Sequence, residues 1–252
     1  MNIIWENKTE NFIKAENAMI QASSNGADII FFPEMSFTGF SMNIGSTAEN
    51  DFFTLTKMKE LCTKYNIAAG FGWVKECGKK AQNCYTVLNS RGNELSTYVK
   101  IHPFSYSNEN DYFEKGCSLT KFKINNITFS TAICYDTRFP ELFQGICKDN
   151  EVTAIVIPAN WPSARADHWQ VLTQARSIEN QVYILAVNCV GCINGIYYSG
   201  NSCIIDPNGK VMVYCENSEE IIYSVLDIDV QSLRNKFPVK KDRQIELYKN
   251  IL

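Results

Sequence analysis

Histidine is nearly missing from this chain: its 252 residues include only His102 and His168. An imidazole-based zinc centre therefore lacks ligands, and Cys189-Val-Gly-Cys192 is a lone C-x-x-C with no second pair, so no metal and no cofactor are expected. Long apolar runs are missing too. None approaches the length of a membrane span, and the amino terminus lacks the charged-then-apolar pattern of a secretory leader, so a cytoplasmic protein with no membrane partner is expected. No Pro-, Gly- or Ser-rich stretch divides the sequence, which predicts one domain over residues 1–252. Charge of one sign is lacking as well. The 24 basic and 27 acidic residues are interspersed and leave a formal net charge of −3. Nothing in that pattern invites nucleic acid, and the most basic stretch, Lys236 to Arg243, is short and interrupted.

Cysteine is plentiful at ten residues. They are scattered through strand-like and helix-like segments of a mid-sized chain, as reduced cytosolic thiols are, and do not suggest a disulfide framework. Apolar spacing predicts helices over 9–24, 52–65, 140–148 and 167–180. Strands are predicted over 27–32, 67–73, 84–89, 95–100, 121–124, 127–133, 154–157 and 183–187, with two more before the tail. The alternation is that of an α/β fold with parallel and antiparallel strands.

Three of the predicted strands end in chemistry. Phe129-Ser-Thr-Ala-Ile-Cys134 stops at a thiol just before a helix, where unpaired N–H groups favour a thiolate and a developing oxyanion. Ala27-Asp-Ile-Ile-Phe-Phe-Pro-Glu34 ends in a carboxylate and Ser96-Thr-Tyr-Val-Lys100 in an ammonium. Singly, each has a bland reading: a buried core cysteine, or surface charges meeting solvent. Together they supply a nucleophile, a base and a cation, and strand ends gather along one rim of a sheet.

The segments Phe-Phe-Pro-Glu34-Met-Ser-Phe-Thr-Gly-Phe40, Tyr98-Val-Lys100-Ile-His-Pro-Phe-Ser105 and Ile-Cys134-Tyr-Asp-Thr-Arg138-Phe-Pro-Glu-Leu142 resemble the signature blocks of the nitrilase superfamily of carbon–nitrogen hydrolases. Pro158-Ala-Asn160-Trp161-Pro162, Ala175-Arg-Ser-Ile-Glu179 and Gly200-Asn-Ser-Cys-Ile-Ile-Asp206-Pro-Asn-Gly209 resemble its later landmarks, in order. The wording is closest to the omega-amidase branch, which hydrolyses the terminal amide of 2-oxoglutaramate and related dicarboxylic monoamides. The resemblance implies an α-β-β-α sandwich, a homodimer formed through an outer helical layer, and cleavage of a small amide through a cysteine thioester. Glu34 would be the base, Lys100 and the Tyr135 N–H the oxyanion donors, and Glu109 the family's second glutamate, with Glu114 and Asp111 as rivals. Asn160 and Trp161 are expected to line the pocket, and Arg165 to bind the far carboxylate by its bidentate fork unless it is merely a solvated loop arginine. Arg138 and Arg176 are expected to pair with carboxylates such as Glu141 or Glu179. Most of the family's first strand is not found before Trp5, so a start upstream of Met1 is expected. The rival functions are an N-carbamoyl or short-chain amidase, a non-catalytic binding partner, and a thiol redox protein built on Cys189 and Cys192.

Overall fold

The structure is a computed structural model that describes residues 1–251. Its helices are α1 (Lys8–Ser24), α2 (Ile44–Thr47), α3 (Phe53–Tyr65), α4 (Glu109–Tyr112), α5 (Pro140–Ile146), α6 (Ala166–Asn180), α7 (Val230–Lys236) and α8 (Ile245–Ile251). The first sheet is β1 (Ile29–Phe31), β2 (Ala68–Cys77), β3 (Lys80–Leu88) and β4 (Glu94–Val99), lying in that order with only β1 and β2 parallel. The second is built from β5 (Lys121–Ile124), β6 (Ile127–Thr131), β7 (Ala154–Ala159), β8 (Tyr183–Asn188), β9 (Val190–Ile193), β10 (Ile196–Ile205) and β11 (Val211–Glu216). Its order is β11-β10-β8-β7-β6-β5, with β9 as a hairpin on β10 and β6, β7 and β8 parallel.

The layers follow from alternation along the strands. On β7, Ala154 and Val156 face a core shared with Tyr85, Val87 and Tyr98 of the first sheet, whereas Ile155 and Ile157 pack on Leu142, Phe143 and Trp169 of α5 and α6. A parallel strand covered on both faces reads as a continuous apolar run, and all six residues of β7 are buried. On the far side, Ala15 and Met19 of α1 and Met58 and Cys62 of α3 cover Ala69, Phe71 and Trp73 of β2. The result is an α-β-β-α sandwich. Among the described residues no helix is long and apolar enough to cross a membrane.

The strand containing Ile29 is shorter than expected because the Ala27 N–H is still bonded to the Ala22 carbonyl of α1 and the chain turns toward Glu34 after the Phe32 N–H bonds Gly70. Three strands, not two, follow β8: Asn194 and Gly195, both at positive φ (47° and 77°), close the two-residue β9–β10 hairpin. The far edge of β1 pairs with no strand among the described residues. A groove of about 1080 Å³ runs along it, lined by Ile29, Phe31, Ile127, Leu185, Ile222 and Leu226, with Met1 at its wall.

Candidate active site

Two glycines let the strand ends approach one another. A Cβ on Gly72 of β2 would collide with the backbone of Glu34 and Met35, and one on Gly116 would collide with the carbonyl of Val99, next to Lys100. Gly72 and Ser36 exchange backbone and hydroxyl bonds of 2.9 and 3.0 Å, and the Gly116 N–H donates to the Lys100 carbonyl at 2.8 Å. The turn after β1 and the end of β4 are thus fixed side by side.

Between them lies a sealed charge cluster. The Lys100 ammonium is 2.8 Å from Glu34 Oε1 and 2.9 Å from Glu109 Oε2, and all three side chains are at most 1% exposed. The Asn83 amide, from the middle of β3, donates to Glu34 Oε1 at 2.8 Å and to Glu109 Oε1 at 3.1 Å. The Phe104 N–H donates to Glu109 Oε2 at 2.5 Å. On the other carboxylate, the Asn160 N–H donates to Glu34 Oε2 at 3.0 Å. Burial acts against the Lys100 ammonium, but Glu109, Glu34 and Cys134 outweigh it and raise its pKa above the usual lysine range, so it stays charged. Burial pushes the Glu109 carboxyl up while Lys100 pulls it down. Glu114 and Asp111, the rival carboxylates, are both exposed, and Glu114 lies 3.8 Å from Lys80.

Cys134 opens a 3₁₀ turn (Cys134–Arg138) directly after β6, with φ at +47°. Its Sγ lies 4.0 Å from the Asn160 carbonyl, and unlike the cluster it is only half-buried. The Tyr135 N–H, in the first turn of that 3₁₀ segment, has no acceptor among the described residues. Burial first, and then the charge of Glu34, push the Cys134 thiol well above its ordinary value, with Lys100 offsetting only part. Such a thiol needs a base to become a nucleophile, and the Glu34 carboxylate is the group of that kind whose charge acts most strongly on it.

Around the thiol the placements differ from expectation. Asn160 gives its backbone N–H to the Glu34 carboxylate and its side-chain amide to the Glu34 carbonyl (2.6 Å), and its Oδ1 is buried without a hydrogen-bond partner among the described residues. Trp161 belongs to the core at 3% exposure, packed on Trp169, and its indole N–H donates to the Arg165 carbonyl at 2.7 Å. It supports the site from behind because its large apolar ring fills the space under α6. Arg176 pairs with Glu179 at 2.9 Å, as expected. Arg138 does not pair with Glu141 or Glu179. Its guanidinium lies 4.7 Å over the Trp161 ring and 3.2 Å from His168 Nδ1. Arg165 sits 5.6 and 5.9 Å from the ring centres of Phe104 and Tyr106. Burial, and then the nearby Arg165 charge, lower the Arg138 pKa. Among the described residues neither arginine has a carboxylate partner. Tyr135 completes this wall, its ring 4.8 Å from Phe104 and 5.2 Å from Phe139.

Asn83 escapes the sequence reading. An amide directly before the mostly apolar run Cys84-Tyr85-Thr86-Val87-Leu88 is the available signal, since a buried polar group must find a partner.

The chain matches the carbon-nitrogen hydrolase family over residues 1–235. It is 31% identical over 252 residues to a 2-oxoglutaramate amidase of Bacillus subtilis (strain 168), covering 98% of this chain and 96% of the relative. It is 32% identical over 238 residues to a 2-oxoglutaramate amidase of Paenarthrobacter nicotinovorans, covering 88% and 80%. Its fold superimposes on a CN-hydrolase superfamily protein of Xanthomonas campestris with a TM-score of 0.88 at 24% identity, covering 96% and 94% of the two chains. With the family match reaching into α7 and leaving only α8 wholly outside, the chain belongs to the carbon–nitrogen hydrolases of the nitrilase superfamily, enzymes that hydrolyse carbon–nitrogen bonds.

Proposed function

We propose that this enzyme is an omega-amidase, hydrolysing the terminal amide of small dicarboxylic monoamides such as 2-oxoglutaramate through a thioester on Cys134. The observation that carries the reading is the sealed Glu34–Lys100–Glu109 cluster behind a half-buried thiol whose ionisation burial and the Glu34 charge oppose. The naming of two relatives at 31% and 32% identity as 2-oxoglutaramate amidases supports the substrate class.

In this scheme Glu34 takes the Cys134 proton as sulfur attacks the amide carbon. The resulting oxyanion is held by the Lys100 ammonium and the Tyr135 N–H, whose pre-set positions stabilise charge without reorganisation. Collapse breaks the C–N bond, and Glu34 returns its proton to the leaving nitrogen, releasing ammonia. A water that gives its proton to Glu34 then attacks the thioester. The C–S bond breaks, the acid departs, and the thiol is restored. Glu109 holds Lys100 in place and balances its charge.

Arg165 and Arg138, both without a carboxylate partner among the described residues, face the substrate's far carboxylate. Arg165→Ala is expected to raise KM for 2-oxoglutaramate about 10- to 100-fold and to leave the KM of a neutral short-chain amide within about threefold, as loss of one charge-assisted hydrogen bond implies. Equal changes for both substrates in steady-state kinetics would remove Arg165 from the binding site. The reading as a whole is tested by ammonia release from 2-oxoglutaramate, succinamate, glutamine, an N-carbamoyl amino acid and a nitrile. Turnover of the first two is expected, and turnover confined to the N-carbamoyl compound would move the enzyme to that branch. The enzyme acts in the cytoplasm as a homodimer, its outer α6 face offering Val171 and Ile178 at 65% and 51% exposure.

A further inference from the structure

A left-handed backbone at a non-glycine residue is strained by roughly 1–2 kcal/mol and persists only where its surroundings over-determine it. Cys134 has such a backbone, and the residue just before it, Ile133, is bonded by the Asp136 carboxylate, which is fully buried. Oδ2 accepts the N–H of Ile133 at 2.9 Å and the O–H of Tyr98 at 2.8 Å. Oδ1 accepts the backbone N–H of His102 at 3.0 Å and lies 2.8 Å from its ring Nδ1, which therefore carries the proton. The His102 ring is held flat on Phe139, at 3.8 Å and 13°. No lysine or arginine pairs with Asp136 among the described residues.

The partners of this carboxylate come from two places. Ile133 immediately precedes the nucleophile at the end of the second sheet, whereas Tyr98 and His102 flank Lys100 at the end of the first. The two oxyanion donors, the Lys100 ammonium and the Tyr135 N–H, thus belong to different sheets. Their separation depends on whatever ties the lysine segment to the cysteine turn. On the glutamate side that tie is Asn160 to Glu34. On the lysine side it is Asp136.

We propose that Asp136 is a positioning residue that sets the two oxyanion donors in register, by binding the residues on either side of Lys100 and the residue before Cys134 with one carboxylate. The inference rests on the reading of Cys134 as the nucleophile of amide hydrolysis. Asp136→Asn keeps the shape and the acceptor for His102 but turns an N–H₂ toward the Ile133 N–H, so the donor next to Cys134 loses its partner. Misplacing one oxyanion donor lowers turnover by about 100-fold or more, and the loss should appear in kcat with KM within about threefold of wild type. Alkylation of Cys134 by iodoacetamide involves no oxyanion, so its rate should stay within about threefold, since only geometry toward the carbonyl oxygen is lost. Tyr98→Phe leaves the carboxylate and removes one of its donors. It should lower kcat about 10-fold with the same pattern, as expected for a hydrogen bond to a charged group.

Amide turnover by wild type that is abolished in Cys134→Ala establishes the underlying reading. Given that control, kcat within about twofold of wild type in Tyr98→Phe overturns the positioning role, even if Asp136→Asn fails to fold. So does a loss of alkylation rate equal to the loss in kcat, because the turn as a whole would then have collapsed. Absence of turnover in wild type would overturn the reading and the inference together.

Discussion

Replacing Glu34 with Gln is expected to lower kcat by about 10³- to 10⁴-fold with the fold intact, the upper range for loss of a general base. Glutamine preserves the shape and keeps an acceptor for Asn83 and Lys100, so the cluster retains most of its hydrogen bonds. What it removes is the proton acceptor and one negative charge. That charge is among the causes that push the Cys134 thiol up, while Lys100 pulls it down. Without it the Lys100 influence is less opposed, and the pH at which Cys134 becomes half-alkylatable should move downward. The variant would thus hold a more acidic thiol and yet turn over far more slowly. Iodoacetamide rates as a function of pH, alongside kcat, check this. A parallel loss of both, with the alkylation midpoint moving upward, would mean that Glu34 supports the thiolate and does not remove its proton.

Lys100→Met is expected to lose both activity and stability. Methionine fills the volume of the aliphatic stem but leaves Glu34 and Glu109 facing each other with no cation between them. Removing one partner of a buried ion pair typically destabilises by about 3–5 kcal/mol, because the remaining charge is buried and uncompensated. For a chain of this size that corresponds to a fall in Tm on the order of 10 °C. Loss of an oxyanion donor contributes about a 10²- to 10³-fold drop in kcat. Calorimetry and steady-state kinetics on the same preparation separate the two. The double change Lys100→Met with Glu109→Gln removes one of the two stranded carboxylates and should recover stability but not turnover. Recovery of turnover would show that Lys100 acts only by holding the fold. Unchanged stability in the single variant would contradict the charge balance drawn between Lys100 and its two carboxylates.

Glu34, Lys100 and Cys134 were legible in the sequence because each ends an apolar run, and strand ends are where a sheet collects its polar chemistry. The layers were legible as well, since β7 reads as a continuous apolar run and the helices keep their period. Asn83 and Asp136 were not. Both gain their roles from register: Asn83 reaches two carboxylates only because β3 sets it opposite Val74 of β2, beside the Glu34 turn, and next to the end of β4. Arg138 was misread for a related reason. Its three-residue spacing to Glu141 suggests a helical pair, but it precedes α5 in a 3₁₀ turn and there stacks on Trp161, and Glu179 is already held by Arg176. The bonds of Asn160 to Glu34 and the packing of Trp161 on Trp169 are not legible in the sequence, which does not say which face of a loop is sealed. The third strand after β8 was missed although Asn194-Gly195 is a strong two-residue hairpin signal.

If Cys134 carries the acyl group of an amide substrate, removing its sulfur must abolish turnover. The most direct test is ammonia release from 2-oxoglutaramate by wild type and Cys134→Ala, prepared and assayed side by side. Steady turnover is expected in wild type and none above background in the variant, with both proteins equally folded. Turnover that survives in Cys134→Ala would contradict that expectation, because no thioester could then lie on the path.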